Sequence, residues 1–155
     1  MKRLEIFIDG AARGNPGPAG IGVVITDESA NVVKNIAKFI GNATNNVAEY
    51  TAAVFGIEEA RNLGAGELVI NTDSELLAKQ LGGEYKIKNS ALKDLYAKIM
   101  KLLNSFSEVR VNQIERAENK DADKLANKAI DQAAQKRPGK SFILKSENKI
   151  SDSLF

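Results

Sequence analysis

The sequence contains no cysteine, no histidine and no tryptophan. Without cysteine there is neither a disulfide nor a thiolate metal site. Without histidine there is no Ser-His triad, no imidazole-ligated zinc and no imidazole base. Acid–base or metal chemistry in this chain therefore rests mainly on aspartate and glutamate. No run of roughly 18 or more apolar residues occurs, so no helical membrane span is expected. The opening MKRLEIFID passes directly into strand-like alternation and lacks the apolar region and small-residue cleavage site of a signal peptide. A cytoplasmic location is the expectation. Charge of one sign is also scarce: 22 basic against 20 acidic residues give a formal net of +2. Residues 136–155 hold five basic and two acidic side chains, which leaves a net of −1 on the rest. A near-neutral body lacks the electrostatic footprint of a duplex binder, so composition alone does not lead to nucleic acid.

What is present is the pattern of one domain with a sizeable core, as 155 residues allow. RLEIFID (3–9) alternates, with Leu4, Ile6 and Ile8 on one side and Glu5, Phe7 and Asp9 on the other. AGIGVVITDE (19–28) predicts a second strand and NVVKNIAKFI (31–40) a third, joined through Ser29-Ala30-Asn31. From Thr44 the period turns helical: Tyr50, Ala53, Val54, Ile57 and Ala60 form one face, and Gly64 supplies a stop. GELVINTD (66–73) predicts a fourth strand, parallel to the first because a helix intervenes. SELLAKQL (74–81) predicts a short helix. Leu92, Leu95, Tyr96, Ile99, Leu102, Leu103 and Phe106 mark a longer amphipathic one. VRVNQI (109–114) predicts a fifth strand, and Ala122, Leu125, Ala126, Ala129 and Ala133 a last helix with a small-residue face. The expected class is α/β: a five-stranded mixed sheet, elements in the order βββαβααβα, with helices packed on it.

Two of these strands end in acids, Asp9 and Asp73. If strands 1 and 4 are parallel neighbours, both carboxylates emerge at one C-terminal edge, where sheets with parallel strands commonly place their sites. Glu49 lies in the first turns of the helix that starts near Thr44, and Asp123 in the first turn of the last helix. Each acid has an ordinary reading as a turn residue, a helix cap or a complement to a helix dipole. Together they are four carboxylates that one fold could bring to one place. Four acids cannot all stay ionised at close range unless cations neutralise them. Oxygen-only ligands favour Mg²⁺ or Mn²⁺ over zinc. Two such ions about 4 Å apart are the usual device for in-line displacement at phosphorus.

The segments IDGAARGNPGPAGIG (8–22), TNNVAE (44–49), NTDS (71–74) and ENKDADKLANKAID (118–131) together resemble type 1 ribonuclease H, in that family's order and over roughly residues 3–135. The resemblance implies the ribonuclease H-like fold. It implies endonucleolytic hydrolysis of the RNA strand of RNA/DNA hybrids, leaving 5′-phosphate and 3′-hydroxyl ends. It implies Asp9, Glu49, Asp73 and Asp123 as catalytic ligands of two Mg²⁺ ions, with Mn²⁺ as a possible substitute. Gly10 is implied in hybrid contact, and Asn15, Asn45 and Asn46 at the minor groove, where the 2′-hydroxyl separates RNA from DNA. Thr44 is implied at a DNA-strand phosphate and Ser74 beside the RNA strand. Glycines 10, 14 and 17 would let the backbone approach the sugar-phosphate strand.

The chain also departs from that pattern. Many members carry a histidine in the loop before the last helix; here the loop reads IERAENKDAD, and Arg116 or Glu118 takes that place. An arginine holds a phosphate but does not shuttle protons near neutral pH. A basic handle is absent, because the link GGEYKIKN (82–89) offers only Lys86 and Lys88. The expected domain is 1–137, with 138–155 as a tail that adds an edge strand, docks on a partner or is disordered. A pattern starting at residue 3 leads to the expectation of a stand-alone monomeric enzyme, rather than one with an N-terminal hybrid-binding domain or a piece of a reverse transcriptase. The competing functions are a non-catalytic nucleic-acid-binding module of the same fold and a related nuclease acting on DNA.

Overall fold

In the computed structural model, which describes residues 2–84 and 86–136, the alternating first segment becomes β1 (Arg3–Ala12). The expectations for the tail, 138–155, and for a boundary at Pro138-Gly139 lie outside the described residues. β1 pairs antiparallel with β2 (Gly17–Thr26), and β2 pairs antiparallel with β3 (Val32–Ala43). After α1 (Asn45–Asn62), β4 (Glu67–Thr72) lies parallel to β1. After α2 (Glu75–Leu81) and α3 (Ser90–Leu103), β5 (Glu108–Gln113) lies parallel to β4. A 3-10 turn, Arg116–Asn119, runs straight into α4 (Lys120–Gln135). The sheet order is β3-β2-β1-β4-β5.

The apolar side chains of β1 explain the packing. Leu4, Ile6 and Ile8 are buried together with Ile21, Val23 and Ile25 of β2 and Leu68 and Ile70 of β4. Each such side chain contributes roughly 1.5–3 kcal/mol on full burial. The face of α1 that covers them is the one its periodicity marks: Tyr50, Ala53, Val54, Ile57 and Ala60 are all buried. α3 adds Leu92, Ile99 and Leu102 to the same core. α4 takes the opposite face of β2 with its small residues. At Gly22 an added Cβ would stand 2.0 Å from the Ala122 carbonyl oxygen, so only glycine lets that helix settle. Helix starts are capped from the sequence. Thr44 Oγ1 accepts from Val47 N, Ser74 Oγ from Leu77 N, and Asn89 Oδ1 from Leu92 N, each at 3.1 Å.

Three details differ from the sequence expectation. β1 does not end at Asp9; antiparallel pairing with β2 carries it on to Ala12↔Ala19. The β2–β3 connection is a turn over 27–31, because Asp27 Oδ1 accepts from both Ser29 N and Asn31 N at 2.9 Å and holds it closed. β3 is longer than predicted and mostly exposed, as an edge strand can be. Its exposed apolar residues Val32, Val33 and Phe39 coexist with Lys34, which pairs with Glu59 at 3.6 Å. Among the described residues no helix is long and apolar enough to cross a membrane.

Candidate active site

The parallel ladder between β1 and β4 stops at Ile8↔Thr72. Asp9 and Asp73 are the next residues on the two chains, so their carboxylates leave the sheet side by side. Beyond that rung β1 is paired only with β2, and its amides turn to side chains from α1. Gly10 N donates to Glu49 Oε1 at 3.1 Å, and Ala12 N to Asn45 Oδ1 at 3.0 Å. α1 can come this close because residue 10 is glycine: a Cβ there would stand 2.2 Å from the Ala48 carbonyl carbon and 2.5 Å from Glu49 N. The sequence assigns Gly10 to close approach of a substrate strand. In the structure that space belongs to α1. Gly17 is likewise filled from within its own loop, where a Cβ would meet the Arg13 carbonyl oxygen at 2.1 Å.

The result is a cluster. One carboxylate oxygen each from Asp9, Glu49 and Asp73 all lie within 4.8 Å of one another. Asp123 approaches from the first turn of α4. All four line one cleft of about 420 Å³, together with Gly10, Ala11, Asn45 and Arg116. Asp9 is only 6% exposed. Burial, reinforced by Asp73 and Asp123, raises its pKa from 3.8 to about 8. Burial, reinforced by Asp9 and Asp73, raises that of Glu49 from 4.5 to about 9, with the Gly10 amide and Arg116 pulling the other way. Carboxylates held this unfavourably, with oxygen donors converging and Arg116 the one cationic side chain among the described residues lining the cleft, fit hard divalent cations.

Arg116 and Glu118 lie in different surroundings. Arg116 lines the carboxylate cleft. Glu118 closes a capping box with Glu115, its Oε1 accepting from Glu115 N at 3.0 Å, and faces a separate cavity beside Glu5 and Phe7. Asn15, Thr44, Asn45 and Asn46 gather at the N-terminus of α1, on one rim of the cleft; Asn15 Oδ1 accepts from Asn45 N at 2.9 Å. Ser74 stands next to Asp73, with its hydroxyl engaged in the α2 cap.

Sequence reading missed Asn119. This residue is 1% exposed. Its Nδ2 donates to Asp73 Oδ2 and to the Ile8 carbonyl oxygen, both at 2.9 Å, which fixes the Asp73 carboxylate beside β1. Within ENKD it looks like a helix cap, and only the tertiary fold reveals the longer reach. Asn119→Ala is expected to cost about 1–3 kcal/mol of stability, because a hydrogen bond to a charged group and a buried carbonyl partner are both lost. Divalent-ion affinity should fall about tenfold. Chemical denaturation and a metal titration of the variant measure the two effects; unchanged affinity would mean that Asp73 needs no such support.

Comparison with known proteins follows the same outline. A family model described as reverse transcriptase-like matches residues 7–129. The bifunctional protein Rv2228c of Mycobacterium tuberculosis is 42% identical over 134 residues, which cover 86% of this chain and 37% of that protein. The chain thus spans little more than a third of that relative's length. The crystal structure of RNase H1 from Halobacterium salinarum is similar at 37% identity and a TM-score of 0.82, over 84% of this chain and 98% of that one. LC11-RNase H1, solved in complex with an RNA/DNA hybrid, is similar at 43% identity and a TM-score of 0.81, over 84% and 99% of the two chains.

Proposed function

The chain belongs to the ribonuclease H family, and on that premise we propose that it is an endoribonuclease that hydrolyses the RNA strand of RNA/DNA hybrids, leaving 5′-phosphate and 3′-hydroxyl ends. The observation that carries this reading is the convergence of Asp9, Glu49 and Asp73 within 4.8 Å, with Asp123 lining the same cleft. These four carboxylates would hold two Mg²⁺ ions, or Mn²⁺ in their place. When bound, the ions supply activation of the attacking water and charge stabilisation at the leaving 3′-oxygen.

The remaining work falls to the chain's own groups. Asp9, at the centre of the cluster, would hold the ions together with Glu49, Asp73 and Asp123. Asn119 holds Asp73 in register with Asp9, and the Gly10 amide holds Glu49. The amides at the α1 rim, Asn15, Asn45 and Asn46, present donors and acceptors that can distinguish a 2′-hydroxyl from hydrogen. Thr44 would hold a DNA-strand phosphate, and Ser74 would lie beside the RNA strand. Arg116 donates to a phosphate oxygen and, always charged, takes no part in proton transfer.

A labelled RNA/DNA hybrid, single-stranded RNA, duplex RNA and duplex DNA are incubated with the protein and Mg²⁺, with Asp73→Asn in parallel. The expected result is cleavage of RNA in the hybrid alone, lost in the variant. No cleavage in Mg²⁺ or Mn²⁺ would shift the assignment to a binding module on this fold. Cleavage that survives Asp73→Asn would overturn the metal mechanism.

A further inference from the structure

Arg13 sits in the β1–β2 loop and forms an ion pair with Asp131 near the end of α4, Nη1 to Oδ1 at 2.6 Å. The two side chains are 45% and 58% exposed, and an ion pair this wet contributes little by itself. The other arm of the guanidinium is more informative. Nη2 donates to Asn127 Oδ1 at 3.2 Å and to the Asn127 carbonyl oxygen at 3.3 Å. Asn127 Nδ2 in turn donates to Asp123 Oδ1 at 3.3 Å and to the Asp123 carbonyl oxygen at 3.0 Å. Asp123 lines the same cleft as Asp9. A chain of hydrogen bonds therefore runs from the loop to the fourth carboxylate of that cleft.

The chemistry of the middle link gives the chain a direction. A guanidinium only donates, so it claims the carbonyl end of the Asn127 amide. The NH₂ end is thereby turned toward Asp123. Of the four carboxylates Asp123 has most need of this. It lies outside the trio that falls within 4.8 Å. It is exposed on its own helix, where an unrestrained side chain samples several rotamers. The same loop is fastened to α1 at its other side, through Ala12 N to Asn45 Oδ1 and Asn45 N to Asn15 Oδ1.

We infer that Arg13 and Asn127 are positioning residues that set Asp123 for ion binding and tie the hybrid-facing loop to the fourth carboxylate. This rests on the reading of the cluster as a metal site. The test titrates Mn²⁺ into the full chain, followed by calorimetry and by the rise in melting temperature. The proteins are wild type, Arg13→Ala, Asn127→Ala, the double variant, and Arg13→Ala in an Asp123→Asn background. The Mg²⁺ concentration at half-maximal hybrid cleavage is recorded beside it.

Each single variant is expected to raise both midpoints about tenfold. The double variant should be no worse than the weaker single one, because the two residues act in series. Arg13→Ala should add nothing once Asp123 is gone. Asp131→Ala, which removes only the surface ion pair, should leave the midpoints near wild type, and metal-free melting temperatures should barely move. Midpoints within twofold of wild type, or an equal loss in the Asp123→Asn background, would overturn the inference. A wild-type chain that binds no Mn²⁺ would instead overturn the metal-site reading beneath it. Binding that shifts as expected without any hybrid cleavage would retain the positioning role and remove the nuclease assignment.

Discussion

Asp9→Asn is expected to abolish hybrid cleavage while making the metal-free protein more stable. The loss follows from the place of Asp9 at the centre of the cluster, in one cleft with Asp123 and within 4.8 Å of Glu49 and Asp73. An amide there withdraws a charged ligand from the ions. Several kcal/mol of charge stabilisation lost at the transition state correspond to a fall in rate of about a thousandfold or more. The gain in stability follows from the same geometry. Asp9 has a folded pKa of about 8 against an ordinary 3.8, so the fold favours its protonated form. That preference stabilises the protein fully below about pH 4 and is lost as pH rises through 8. At pH 7 an aspartate that ionises freely in the unfolded chain opposes folding, and asparagine removes this opposition. A gain on the order of 2 kcal/mol is expected. It should grow between pH 4 and 8 and shrink when Mg²⁺ is added, since cations relieve the wild type but not the variant. Thermal melts across that pH range, with and without Mg²⁺, measure it. Cleavage within tenfold of wild type, or a variant that is less stable at pH 7, would contradict the central placement of Asp9.

The second large effect is predicted for a residue without a side chain. Gly10→Ala would drive a Cβ into backbone atoms of Ala48 and Glu49 at 2.2–2.5 Å, far inside contact distance. Neither β1, paired on β2, nor α1, packed across the core, can move without breaking other contacts. The α1 N-terminus must therefore lift. The expected cost is about 3 kcal/mol or more, a fall of roughly 10 °C in melting temperature for a chain of this size. Because Glu49 moves with the helix, metal affinity and cleavage should fall too, and Mg²⁺ should rescue neither. Gly82→Ala is the comparison. Residue 82 has ordinary helical φ, and its Cβ would meet nothing closer than 3.4 Å, so the change should be neutral. Equal melting temperatures for Gly10→Ala and Gly82→Ala would show that α1 does not seat on β1 as described.

The sequence was most legible where a side chain's role follows from its place along a regular element. Strand alternation and the apolar face of α1 were both local signals, and the structure repeats them. Asp9 and Asp73 were legible as neighbours for a related reason. Two strands running parallel must deliver their next residues to the same edge, whatever the exact strand lengths. Asp9 therefore reaches the site although β1 continues past it. Local signals failed where the partner lay far along the chain. Asn119 carries the ordinary signature of a cap, yet it bonds to Ile8, 111 residues away. Gly10 looks like a loop glycine because nothing near it in sequence announces the helix that presses on it. Arg13 resembles a solvated charge until α4 is folded beside it. The end of β3 was hidden by Gly41, whose positive φ of 81° suggests a break although pairing continues through a register shift.

The parting of β1 from β4 has one more consequence. Past Ile8 the strand loses a neighbour, and the amides of Gly10 and Ala12 are shielded by Glu49 and Asn45 in place of a backbone. In most sheets the resistance of a strand amide to deuterium reflects how firmly the sheet itself is closed. At these two positions it reflects whether active-site side chains are in place. The exchange rates of two backbone protons thus form a built-in gauge of the catalytic centre, readable with neither substrate nor metal in the tube.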